Sequence, residues 1–274
     1  MQKIRQKEKP AFGLLLKQWR NLRGKSQLDL ALDASVSARH ISFIESGRST
    51  PSKEMVVTLA TALNVPLREQ NVLLTSAGFA PVYHESEFQS ESFLESRRVL
   101  EWILKKHEPY PAVLLNRCWD IIAANEAAQR FFRFLLANAA ADSADAGNVL
   151  RVMFKSNLAR KYVKNWPSVA AALIARTYRE MLGGIHDRGA QQVLLEVLAY
   201  PDVPAQMRTP DLSQPLTPFV PILFEKDGQA FTFSSLITTL GTPQDITLQE
   251  LRIECFYPMN EITEKNMQLL QNDS

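Results

Sequence analysis

Only 2 of the 274 residues are cysteine, too few for a disulfide framework or a four-thiolate zinc site. Cys118 and Cys255 both sit in apolar, strand-like runs, and a reduced cytoplasmic chain is the expectation. No run of about 18 apolar residues occurs, so no membrane insertion is expected. The segment Met1–Pro10 has no apolar stretch between its charges and is no secretory signal. The 4 histidines, His40, His84, His107 and His186, are scattered without metal-ligand spacing. No phosphate-cradling loop ending in Gly-Lys-Ser/Thr is present, and Gly183-Gly184 reads as a helix end. Cys118 beside Trp119 reads as core rather than nucleophile, and Glu250, Arg252 and Glu254 as a salt-laced strand face. With no convergent acid, base and nucleophile, an enzyme is not expected, and neither a metal nor a required cofactor is implied.

What is present is ordinary globular composition, 46% hydrophobic and 22% charged, at a length that suits two domains. The 31 Lys and Arg nearly balance the 29 Asp and Glu, but unevenly along the chain. Residues 1–84 carry 12 basic and 6 acidic side chains, and residues 85–274 carry 19 and 23. Only the first part has the charge to meet a polyanion.

That part reads as five short helices. Phe12, Leu15, Leu16, Trp19 and Leu22 fall at helical spacing up to Arg23, and Gly24 closes the helix. Ser26 caps a second helix, with Asp29 completing a capping box, and Ser37 caps a third from Ala38 to about Ser46. Gly47 ends that helix. Pro51-Ser52 opens a fourth through Leu63, and Pro66 a fifth to about Ala77. A short turn between two helices, the second with a polar N-terminal end, is what entry into a major groove requires.

Ser26-Gln27-x-x-Leu30-Ala31, Val36-Ser37-x-x-x-Ile41-Ser42, Glu45-x-Gly47-Arg48, Pro51-Ser52 and Leu59-Ala60-x-Ala62-Leu63 resemble the Cro/repressor (XRE) helix-turn-helix family. The resemblance covers about residues 12–78 and implies an all-α, lambda-repressor-like domain over 1–80. Its partner would be double-stranded DNA, bound as a homodimer. It places Gln27 against phosphate and in support of the recognition helix, and Ser37, Ala38, Arg39 and His40 at that helix's groove-facing start. Arg39 is the candidate base reader, because a guanidinium pairs bidentately with guanine. His40 fits a base or phosphate contact and equally a solvated surface position. Ser42 and Arg48 match phosphate contacts. Glu45 matches an acidic residue paired with the first helix, here Arg20. Ser35 stands where the family usually has Gly; if the turn needs positive φ, Ser costs up to about 1 kcal/mol there.

Residues 81–106 read as a linker with a connecting helix at Phe93–Lys106. Two short strands, Pro111–Asn116 and Trp119–Ala124, precede a helix capped by Asn125. The stretch Ala137–Gly147 reads as an aperiodic insertion. Helices follow at about Val149–Lys155, Ala159–Lys164, Ser168–Leu182 and Ala190–Leu198. The segment holding Pro201, Pro204, Pro210, Pro215, Pro218 and Pro221 reads as extended. Strands Val220–Glu225 and Gln229–Thr239 flank an Asp227-Gly228 turn, and a last strand spans about Leu248–Tyr257. In it Leu251, Ile253, Cys255 and Tyr257 alternate with Glu250, Arg252, Glu254 and Phe256, implying one buried and one mostly wet face. The sum is an α+β domain with a five-stranded antiparallel sheet.

Val65-Pro66-Leu-Arg68, Ala77-Gly78-Phe79-Ala80-Pro81-Val-Tyr83, His107-Glu108-Pro109-Tyr110-Pro111-Ala112, Trp119-Asp120, Asn165-Trp166 and Gly241-Thr-Pro-Gln-Asp245-x-Thr247-Leu-x-Glu250-Leu-Arg252 resemble the MmyB-like branch of these regulators. That resemblance implies a PAS-like domain over 107–274 that senses a small apolar ligand, with a fatty-acid-like lipid as the ligand class. Phe131, Phe132, Trp166, Tyr178, Phe224 and Phe233 are the pocket candidates, taken as a set. A ligand-free dimerisation or protein-docking module is the alternative.

Overall fold

Apolar residues at helical spacing bury one stripe of each helix in the N-terminal part. The computed structural model describes residues 12–137, 143–183, 188–209, 219–241 and 243–272. Its contacts divide the chain into one unit of residues 1–85 with 244–246 and a second of 86–243 with 247–274. In the first unit α1 (Phe12–Leu22), α2 (Gln27–Asp33), α3 (Ala38–Glu45), α4 (Lys53–Ala62) and α5 (Leu67–Ser76) follow the expected order. Leu16, Trp19, Leu30, Ile41, Ile44 and Leu59 close a single core.

Each of these helices ends through a residue at positive φ: Gly24, Ser35, Gly47, Asn64 and Gly78. After α2 the amide of Ser35 donates to Leu32 O at 3.2 Å and that of Val36 to Ala31 O at 2.8 Å, the paired bonds of a Schellman stop. Ser35 therefore does occupy the left-handed region, at φ 55°.

The second unit opens with α6 (Leu94–Lys106), then β1 (Ala112–Leu115), β2 (Ile121–Ala124), α7 (Glu126–Leu136), α8 (Ser143–Ala146) and α9 (Val149–Phe154). It continues through α10 (Trp166–Gly183), α11 (Arg188–Leu198), β3 (Ile222–Lys226), β4 (Gln229–Thr239), α12 (Ile246–Glu250), β5 (Arg252–Pro258) and α13 (Glu261–Asn272). The strands form one antiparallel sheet in the order β2-β1-β5-β4-β3. Asp227 and Gly228, at φ 50° and 77°, make the two-residue turn that the β3–β4 hairpin needs.

Several local expectations are corrected. The last strand begins at Arg252, because residues 246–250 form α12. The β5 face expected to be wet is buried at Glu254 and Phe256, while Tyr257, expected on the buried face, is exposed. Phe256 packs in the main core with Phe233, Phe231 and Phe131, while Ile253 packs on Leu100 and Leu104 of α6. Packing on both sides of β5 from Ile253 to Phe256 leaves alternation no solvent face to mark there, whereas β3 keeps one, with Leu223 and Glu225 exposed. Residues 143–146, expected inside the aperiodic insertion, are helical, and 138–142 lie outside the described residues. Ala205–Arg208, expected as extended, forms a 3-10 turn opened by Pro204, whose φ of −56° suits a helix start. Gly184, His186, Pro210, Pro215 and Pro218 also lie outside the described residues. α13 was not anticipated; its Met267 and Leu270 join the main core.

Candidate functional sites

In the first unit the helix expected to be the recognition helix is α3. Ser37 caps it, its hydroxyl accepting from the His40 amide at 3.1 Å, which fixes where the helix begins. α3 is held from behind by one carboxylate. Glu45 accepts from Arg20 Nε at 2.6 Å and Nη2 at 3.0 Å, and from Gln27 Nε2 at 2.8 Å. Arg20 also donates from Nη1 to Lys25 O at 2.7 Å, so the first helix, the start of the second and the end of the third share one network. Gln27 thus spends its amide on Glu45, which bears on the supporting half of its expected role.

At Gly13 the backbones of α1 and α3 touch: a Cβ there would lie 2.4 Å from Ile44 O and 2.8 Å from Glu45 O. Nothing in the sequence around Gly13 marks a close approach between distant helices.

The opposite side of α3 is open. Ser37, Arg39 and Arg48 are exposed, and Ala38, His40 and Ser42 half-buried. The guanidiniums of Arg39 and Arg48 lie 5.2 and 5.8 Å from the Phe43 ring centre. Such stacking steadies long side chains while leaving their donors free for an acceptor.

In the second unit the aromatic candidates separate into two groups. Phe131, Phe132 and Phe224 line an apolar hollow with Ile121, Val149, Val152, Met153, Leu173, Ile222 and Phe256. It is partly open to solvent. Phe233 sits in the core, 5.3 Å from the Phe131 ring. Trp166 is tied by its indole N–H to Met153 O at 2.7 Å under the Arg160 guanidinium, and the Tyr178 hydroxyl donates to Arg208 O at 3.1 Å. These three take no part in the lining.

One residue in the hollow's wall is polar, Glu254, which is only 5% exposed. The surface salt ladder expected here is thus corrected. Glu254 faces inward, Arg252 donates from Nη1 to Glu180 Oε2 at 2.6 Å, and Glu250, on α12, pairs with Arg117 at 3.5 Å. Burial pushes the Glu254 carboxyl above its ordinary value, while a hydrogen bond from Ser235 and the charges of Arg176 and Arg252 oppose the shift. A second hollow shares Leu173, Ile222 and Glu254 with the first and adds Trp119, Arg176 and Ser235.

Trp119, expected on a strand, lies in the β1–β2 turn at φ 67°. Asn116 Oδ1 accepts from the amides of Cys118 at 2.8 Å and Asp120 at 3.0 Å. Buried Asn148 donates to Cys118 O and Asp120 Oδ1, both at 2.8 Å. This network holds a bulky residue where the backbone alone would not. His107 Nε2 lies 2.9 Å from Phe256 O.

Among the described residues no helix is long and apolar enough to cross a membrane. Residues 96–270 match the family described as MmyB-like transcription regulator ligand binding domain, and residues 16–70 match the family described as Helix-turn-helix. No curated protein matches the chain. Among solved structures, that of an RNA-binding light-oxygen-voltage receptor is matched at 13% identity over 96% of this chain, with a TM-score of 0.25. The chain spans 62% of that protein's length, and a likeness this low carries no argument.

Proposed function

The chain belongs to the MmyB-like transcription regulators, and from that premise we propose a homodimer that reads DNA with α3 and senses a small apolar ligand in a PAS-like C-terminal domain. An XRE-type helix-turn-helix joined to an MmyB-like ligand-binding domain makes it a DNA-binding transcription regulator. The finer reading assigns Arg39 to a base edge and Ser37, Ser42 and Arg48 to the backbone. His40 is positioned to join either set. The strand order β2-β1-β5-β4-β3 supports the PAS-like assignment.

The observation that carries the sensor reading is the hollow walled by Phe131, Phe132, Phe224 and Phe256. Its apolar lining suits a hydrocarbon chain, hence a fatty-acid-like lipid. A ligand regulates only by binding two arrangements of the protein unequally. β5 offers a route, since its Phe256 lines the hollow and its Ile253 packs against α6 on the other face.

The test is thermal unfolding and operator binding of delipidated full-length protein with a panel of fatty acids, alongside native mass spectrometry of gently purified protein. A retained lipid, a dimeric mass and a ligand-dependent melting shift are expected, about 2.7 kcal/mol at 100-fold excess over Kd. No melting shift and unchanged DNA affinity would replace the sensor by a dimerisation or docking module.

A further inference from the structure

Of the 4 tryptophans, Trp19, Trp119 and Trp166 are buried, whereas Trp102 is 61% exposed. It stands on α6, whose Leu100 and Leu104 pack with Leu114 and Ile253 of the sheet. About one turn before it, Val99 is 55% exposed. Glu95 and Lys106, also exposed, complete a stripe at positions 95, 99, 102 and 106. Steps of four, three and four residues are those of a coiled-coil seam, the spacing that keeps one helix face against another. The stripe is already ordered within its own chain. Lys106 Nζ lies 5.6 Å from the Trp102 ring centre, and Arg98 Nη1 donates to Glu95 Oε1 at 2.9 Å. A large ring left in water at the middle of a seam, with an acid at one end and a base at the other, is half of an interface.

We propose that this stripe of α6 is the two-fold face of the homodimer, met by the same stripe of a second copy running antiparallel. This rests on the homodimer reading above and names the surface that makes it. A two-fold contact must be complementary to itself. With the axis between Leu100 and Glu101, Val99 lies against the partner's Trp102, and Glu95 against the partner's Lys106. Symmetry repeats both relations, which gives two apolar contacts flanked by two ion pairs. A parallel copy would instead set acid against acid at position 95 and base against base at position 106. The order of charge along α6 therefore selects the antiparallel arrangement.

Two further cations, Arg98 and Lys105, flank the seam. Exposed Glu101 offsets them, three residues after the first and four before the second, where helix side chains meet. A helix about 20 Å long cannot bury the roughly 1,600 Å² of a standard interface, so this stripe is its centre and not its whole. The energy is concentrated in Trp102, since tryptophan at the middle of a patch is the commonest kind of hot spot. The end charges set direction and register more than strength, because an exposed ion pair is worth little by itself. Every change made in one chain acts twice in the dimer.

The experiment is sedimentation velocity of full-length protein over a dilution series. The parent is expected to be dimeric at micromolar concentration. Trp102→Ala should raise the dimer dissociation constant about a hundredfold. Glu95→Lys and Lys106→Glu should each raise it about tenfold, because either one sets like charges together at both ends of the seam. Both exchanges made in one chain should restore the parent value. An equimolar mixture of the two single variants should restore it too, which also shows that each variant is folded. Single variants that dimerise as well as the parent, while Trp102→Ala does not, would overturn the antiparallel register. A dimer indifferent to all of these changes would overturn the α6 face and leave the homodimer reading standing. A monomeric parent would remove both.

Discussion

Arg20 on α1 and Glu45 on α3 form a two-pronged ion pair, 2.6 Å at Nε–Oε1 and 3.0 Å at Nη2–Oε2. Their side chains are only 9% and 4% exposed, so each charge depends on the other for solvation. Losing one partner strands its mate, at a cost of about 3 kcal/mol for a buried pair. Arg20→Ala and Glu45→Ala should each destabilise the first unit by roughly that much, and the double variant by clearly less than their sum. A double-mutant cycle in urea without coupling would remove the claim. Each variant also loses one further bond, Arg20→Ala that to Lys25 O and Glu45→Ala that from Gln27 Nε2.

Gly13 tests the same α1–α3 contact by steric means. Its absent Cβ would stand 2.4 Å from Ile44 O, a backbone atom that cannot swing aside. Gly13→Ala gains up to about 1 kcal/mol of helix propensity but forces overpacking that costs about 1–3 kcal/mol. Net destabilisation is expected, with weaker DNA binding because α3 must shift. An unchanged melting temperature and operator affinity would mean that the helices separate freely.

The stop after α2 predicts a gain. Ser35 holds φ at 55°, where an L side chain is disfavoured and glycine is not. Ser35→Gly should stabilise the first unit by up to about 1 kcal/mol, read as a higher denaturation midpoint. Destabilisation would mean that the hydroxyl makes a contact worth more than the strain.

On the open face of α3, Arg39→Ala should relax preference at one base pair, at about 1–3 kcal/mol. Arg48→Ala should weaken all sequences alike and lower the salt dependence of binding. Selection from a randomised library separates the two. An unchanged binding-site logo for Arg39→Ala would end its base-reading role.

The first unit was legible because its information is local. Capping residues Ser26 and Ser37, stops such as Gly24 and Gly47, and apolar spacing each lie within one turn of what they control. Even the distant Arg20–Glu45 pair followed from the family motif. In the second unit the strands of the sheet were legible from alternation and the Asp227-Gly228 turn, but their burial was not. Glu254 and Phe256 looked solvent-facing because alternation cannot tell a wet face from one covered by α10. Trp119 looked like strand because nothing in its neighbours announces φ 67°; Asn148, 28 residues away from Asp120, helps to impose it. Trp166 and Phe233 looked like pocket because an aromatic side chain carries no mark of which cavity it lines.

Glu254 also predicts how stability depends on pH. Its folded-state pKa lies above the ordinary carboxylate value, and the first cause is burial. The folded protein then holds this proton more tightly than the unfolded chain. The contribution is complete below the unfolded pKa of about 4.3 and is lost as pH rises through the raised folded value. Between those limits the slope is at most about 1.4 kcal/mol per pH unit, the effect of one proton. Other groups titrate in the same range, so the informative quantity is the difference between the parent and Glu254→Gln, whose amide does not ionise. That difference should turn increasingly in favour of Glu254→Gln with rising pH, then level off once Glu254 is ionised in both states. Chemical denaturation at a series of pH values measures it. A flat difference curve would mean that Glu254 reaches solvent or a compensating cation when folded, and the neutral buried acid would have to be abandoned.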